Sequence, residues 1–228
     1  MASDTPFKTE EKVTEGGIPL TSIDRELLAM KDEDFHLITW DDLGHIILVT
    51  NALEELKRLP SDLRRYVAWS ASIKSQYGSI TTYVVQERLH WTPIDATAPI
   101  PSFAHHNPIP FADERDYQIL LNDWPYGLAP GIVHIVVWTK ALIATDETNG
   151  DVTGESRELI ERFVERRFVR DLDRVVGEGK GKGNVLWFKN WVSLQSVRGV
   201  DHVHVLVKDA PKELLDQWMK RTSEPLQW

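Results

Sequence analysis

The chain has 228 residues, with 26 Lys+Arg against 35 Asp+Glu for a net charge of −9, and it contains no cysteine. The acidic balance argues against a general nucleic-acid coat, whose affinity comes from cations neutralising phosphates. Without cysteine there is no disulfide framework, no thiolate zinc site and no cysteine nucleophile, and the apolar runs fall far short of the ~20 residues a membrane span needs.

Residues 1–19 are polar and acidic, with Gly16-Gly17 and few apolar anchors, and read as a disordered tail. The tail has neither the apolar core of a secretory signal nor the basic face of a transit peptide. A cytoplasmic location is expected, with the nucleus also open. Residues 20–228 read as one domain in three parts. The first, 20–91, has helical periodicity. Thr21 or Ser22 caps a helix bearing Ile23, Leu27 and Leu28, and Asp41 and Asp42 precede Leu43, Ile46 and Ile47. Ser61 reads as the cap of a helix carrying Leu63, Tyr66, Val67, Ser70 and Ile73. The stretch Ser79–Leu89 has helical offsets but enough β-branched residues to be a strand. The second part, 92–111, carries Pro93, Pro99, Pro101, Pro108 and Pro110 and reads as an ordered crossing.

The third part, 112–228, changes period. Tyr117–Leu121, Ile132–Thr139, Val185–Trp191 and His202–Val207 read as strands, and Thr153 to Val176 as an amphipathic helix. The glycines at 177, 179, 181 and 183 end that helix in a connector. They follow a helix and lack Gly-Lys-Ser/Thr, so they do not make a phosphate loop. An α+β fold follows, with an antiparallel sheet of about four to six strands and the helical front half packed on it.

Chemistry concentrates at Asn184–Lys208, NVLWFKNWVSLQSVRGVDHVHVLVK. Strand alternation puts His202 and His204 on one face, roughly 7 Å apart along the strand, and Val203, Val205 and Val207 on the other. The valines are expected against a helix. His134 shares a face with Val136 and Trp138 and is placed to meet the pair across the sheet. A polar strand face on a solvated edge is the plain alternative for the pair. A neutral imidazole is a competent nucleophile toward phosphorus, and Ser196, Gln195 and Asn190 offer donors for phosphate oxygens. Asn122-Asp123, directly after a strand, suits recognition of a ligand's hydroxyls with Trp124 beside it; the alternative is a tight Pro-Tyr-Gly connection in which Trp124 packs. A second possibility is a divalent metal held by His134, His202 and His204, with no evident carboxylate partner, since alternation turns Asp201 away. His105-His106 lies in the Pro-rich crossing and reads as surface.

Asn122–Lys140 and Leu186–Val207 closely resemble the fungal N-acetylglucosamine-induced protein family. That name implies induction by an amino sugar and no reaction. The same blocks are more distantly similar to the histidine-triad superfamily of nucleotide hydrolases and transferases, through Pro130-Gly131 with His134, Gln195-Ser196-Val197 and His202-Val203-His204. The resemblance implies a histidine-triad-like sheet, with His202 as nucleophile and His204 as the last histidine. It also implies phosphate contacts at Ser196 and Asn190, and ligand sugar near Asn122 and Asp123. Val200 stands where the pattern has its first histidine. The expected function is therefore a nucleotidyl or phosphoryl hydrolase or transferase, with a non-catalytic binding or regulatory protein of amino-sugar metabolism as the alternative. The expected partner is a small phosphorylated ligand, a nucleotide, nucleotide-sugar or sugar phosphate. No cofactor, nucleic acid or membrane partner is expected.

Overall fold

A computed structural model describes residues 13–15, 18–20 and 22–223. Antiparallel pairing joins β1 (Val13–Glu15) to β2 (Ile18–Leu20). The end of the expected tail is therefore a short hairpin; residues 1–12, and Thr21 as a cap, lie outside the described residues.

Four helical pieces follow. They are α1 (Ser22–Ala29), α2 (Trp40–Gly44, continued by a wider turn over His45–Thr50), α3 (Pro60–Tyr77) and α4 (Ile80–Tyr83, continued likewise over Val84–Leu89). Ser79–Leu89 thus resolves as helix. Ser79 caps it through Thr82 N, and the β-branched residues Ile80, Val84 and Val85 are buried against other elements rather than paired in a sheet. Ser61 does not cap α3. Pro60 occupies the first helical position, as its fixed φ favours, and Asp32 Oδ1 accepts the Ser61 N–H at 2.8 Å.

The cap of α2 is Thr39. It accepts from Asp42 N, while the Asp42 carboxylate receives Thr39 N at 2.8 Å, a reciprocal box that pulls the Asp42 carboxyl down to about 2. Thr39→Ala is expected to cost about 1 kcal/mol, read as a lowered chemical-denaturation midpoint. Thr39→Ser should recover most of it.

The sheet has four antiparallel strands in the order β3-β4-β6-β5: β3 (Tyr117–Leu121), β4 (Ile132–Thr139), β5 (Val185–Phe188) and β6 (Asp201–Lys208). β5 stops three residues short of the expected Trp191. β6 is an interior strand, so its histidines do not lie on a solvated edge.

Each face of the sheet meets a different helical layer. Val203, Val205, Val207, Ile135 and Val137 pack on α5 (Gly154–Val164), the turn Glu165–Val169, α6 (Arg170–Val176) and α7 (Lys212–Ser223) through Ile160, Phe163, Phe168, Leu172 and Trp218. The other face carries His134, Val136, Trp138, His202, His204 and Leu206. α3 and α4 cover it through Ile73, Ile80 and Val84, and α2 through Leu43 and Ile46. The two halves are also tied by polar contacts, Trp40 Nε1–H to Gly183 O at 2.9 Å and Thr81 Oγ1–H to Arg198 O at 3.1 Å.

Candidate functional site

Pairing of β4 with β6 sets Val136 opposite His204 and Trp138 opposite His202, and places His134 one diagonal step from His204. The three imidazoles form a connected group. His134 Nε2 lies 2.9 Å from His204 Nδ1, and the His202 and His204 ring centroids are 5.3 Å apart, closer than strand spacing alone predicts because the rings lean together. All three are buried.

Hydrogen bonds assign the tautomers. The Asn190 amide donates to His204 Nε2 at 3.2 Å, so His204 carries its proton on Nδ1 and donates to His134 Nε2. His202 Nδ1–H donates to Val200 O at 2.8 Å, which leaves Nε2 as the lone-pair nitrogen. Aromatic planes hold the rings. Phe188 stacks on His204 at 4.7 Å, Trp138 lies 4.4 Å from His202, and Tyr126 lies 4.9 Å from His134.

Burial keeps all three histidines neutral. Desolvation takes His134 down to about 3 with help from Arg58, and His202 down to about 4 with help from Lys189. His204 sits well below the ordinary range, chiefly by desolvation, then by its two histidine neighbours. Lys189 is itself buried and pairs with Asp201 at 3.0 Å on the valine side of β6.

A cavity of ≈ 600 Å³ opens between the sheet and the helical half, within the range of small-molecule sites. It is lined by His202, His204, Asn190, Gln195, Ser196, Asn122, Asp123 and Trp124. The structure therefore brings together every residue expected from the sequence except His134, which stands behind His204 with the Asn122 amide nitrogen 3.2 Å from its ring. Three residues are differently engaged from expectation. Gln195 Nε2 donates to Asn190 O at 2.8 Å, and one Asn190 amide hydrogen is taken by His204, so both brace the site. Asp123 pairs with Arg88 of the α4 continuation at 2.8 Å.

Sequence reasoning missed the wall contributed by the helical half. Tyr66, Trp69 and Tyr83 line the cavity beside Trp124, with centroid separations of 5.3–5.9 Å along Tyr66–Trp69, Trp69–Trp124 and Trp69–Tyr83. Arg58 and Tyr126 also line it. None of these carries a local motif; the helical spacing of Tyr66 and Trp69 marks only an apolar stripe. Gly127 lets the Trp124–Leu128 loop approach the helical half. Its N–H donates to Lys57 O at 2.8 Å, and a Cβ there would run into the Phe35 ring.

The metal alternative finds no support in the geometry, because the His134 and His204 nitrogens bond to each other rather than converge on an ion. Among the described residues the ligand set within 4.8 Å is His106, Asp113 and Asp116. There Asp116 is already satisfied by His106 N, Asn107 N and His106 Nδ1 at 2.7, 2.8 and 3.1 Å, so the His105-His106 segment is anchored to the fold. No helix among the described residues is long and apolar enough to cross a membrane.

These features define an α+β protein in which a helical half closes a histidine-bearing cavity over one face of a four-stranded antiparallel sheet. The chain belongs to the family described as "Protein of unknown function (DUF3605)", whose model matches residues 39–208. That span includes the histidines and all of the cavity lining except Leu20 and Asp24. The chain is 31% identical over 189 residues to N-acetylglucosamine-induced protein 1 of Candida albicans, covering 78% of this chain and 71% of the relative. It is 32% identical over 98 residues to Uncharacterized protein YPL067C of Saccharomyces cerevisiae, covering 42% of this chain and 46% of the relative. The crystal structure of HTC1 superposes with a TM-score of 0.57 at 26% identity, covering 83% of this chain and 99% of that one.

Proposed function

We propose that the cavity binds a small phosphorylated ligand and that His202 Nε2 attacks its phosphorus in a nucleotidyl or phosphoryl transfer, in the manner of a histidine-triad-like site. The observation that carries this reading is the Val200 O acceptor on His202 Nδ1–H. It makes Nε2 a lone-pair nitrogen at any pH where the ring is neutral, on a side chain that lines the cavity with Ser196. The Nε2 lone pair forms the N–P bond as the P–O bond to the leaving group breaks with its electron pair; water then cleaves N–P and restores the imidazole. The cavity lining also carries five Lys/Arg against three Asp/Glu in a chain of net charge −9, a local reversal that favours an anion.

The full chain incubated with α-labelled ATP or a labelled UDP-sugar, then quenched in base, should carry label that His202→Ala loses. Equal labelling of both chains removes the mechanism.

One observation favours a second reading, binding without turnover. All three imidazoles are held neutral, so none is charged to protonate a leaving group at neutral pH. In that case UDP-sugars or AMP stabilise the chain by about 2.7 kcal/mol at ~100 Kd, with no label on either form.

A further inference from the structure

The donors expected to hold phosphate are partly committed to the protein itself. Gln195 is engaged by Asn190 O, and an Asn190 amide hydrogen by His204. On the sheet side Ser196 still lines the cavity, and the helical half adds a charged donor for an oxyanion. Arg58 lies in the connector that leads into α3, half-buried and lining the cavity. Its Nε–H donates to Trp124 O at 3.2 Å, and its guanidinium carbon sits 4.1 Å above the Tyr66 ring. Among the described residues those two contacts fix the plane of the fork and leave the terminal nitrogens for a ligand.

Among the described residues no carboxylate forms an ion pair with Arg58, whereas Arg88 in the same cavity is taken by Asp123 at 2.8 Å. The Arg58 charge is felt by His134, His204 and Tyr126, whose ionisations it shifts, which places it at the histidine end of the cavity. A planar fork whose orientation is already set loses little freedom on gripping two oxygens of one phosphate.

We infer that Arg58 is the anion anchor of this cavity, a bidentate subsite for the phosphate of the ligand contributed by the helical half rather than by the sheet. The inference rests on the reading that the cavity takes a phosphorylated ligand. The aromatic wall of Tyr66, Trp69 and Trp124 adjoins this subsite and takes the ligand's ring.

The test is titration of the full chain with inorganic pyrophosphate, AMP and adenosine, followed by the fluorescence of the cavity tryptophans. Arg58→Met keeps the stem over Tyr66 and should weaken pyrophosphate and AMP roughly 10- to 100-fold, with adenosine changed by less than about twofold. Arg58→Lys should fall between, since it keeps charge and loses the fork. Phenylglyoxal modification of the native chain, read by peptide mass, gives a readout that needs no variant: pyrophosphate should protect Arg58. Unchanged pyrophosphate affinity in Arg58→Met, absence of protection, or failure of the native chain to bind pyrophosphate each overturns the inference. Label on His202 with Arg58→Met binding normally refutes the anchor alone. Loss of anion binding in Arg58→Met with no label on the native chain refutes phosphoryl transfer and leaves the anchor standing.

Discussion

Acidification from about pH 7 to about pH 5 will strip several kcal/mol from the fold, before most carboxylates begin to titrate. The three sheet histidines set this. In the unfolded chain each protonates near 6.5; in the fold burial holds His134 at about 3, His202 at about 4 and His204 well below 6.5. Below the unfolded value the unfolded chain binds protons that the native chain refuses. The stability they contribute is thus complete above the unfolded value and is lost as pH falls toward the folded ones. Each group costs about 1.4 kcal/mol per pH unit in that window, so three together approach the size of a typical folding free energy, ~5–15 kcal/mol. Calorimetry across the window should show Tm falling by about 10 °C or more. Asp42, held at about 2 by Thr39, contributes only at lower pH. A His134→Gln, His204→Gln chain should show a flatter profile. A native Tm that holds level down to about pH 5 would show that these rings are hydrated enough to take up protons in the folded state.

Trp218→Ala is expected to cost about 3–5 kcal/mol. Trp218 is fully buried beneath the valine face, with Phe168 edge-on at 4.8 Å, and its Nε1–H donates to Asp171 Oδ2 at 3.0 Å. Removing the indole leaves a large cavity and strips Asp171, itself buried, of one donor, though Arg174 still reaches it at 2.6 Å. Trp218→Phe refills most of the volume and should cost about 1–2 kcal/mol for the lost donor. Both values are read from denaturant unfolding. Pyrophosphate affinity should stay as in the native chain, because α7 lies on the sheet face away from the cavity. A cost under about 1 kcal/mol would show that α7 undocks without disturbing the core.

Trp218 also marks where sequence reading stopped. Lys212–Ser223 has a helical stripe in Leu214, Leu215 and Trp218, but it follows the motif-rich strand and draws no attention by composition. Strand bounds fared unevenly for a similar reason. Tyr117–Leu121 and Ile132–Thr139 stand where the alternation puts them. Val185–Trp191 is cut at Phe188, because Asn190 and Gln195 turn the chain inward toward His204. Ser61 resembled a cap locally, yet Pro60 at the first helical position outranks it.

Local order in the chain was enough to put His202 with His204 on one face and the valines on the other, since strand side chains alternate whatever surrounds them. It was also enough to mark Ser196, Asn190 and Asn122–Trp124 as neighbours of that face. What the alternation could not contain is what covers it. The helical half decides that the imidazoles are enclosed and neutral, and that Arg58, more than a hundred residues away in sequence from His202, faces the same cavity. Burial, ion pairing and the orientation of a guanidinium depend on atoms from distant segments meeting in space, and those quantities come into being only when the layers close.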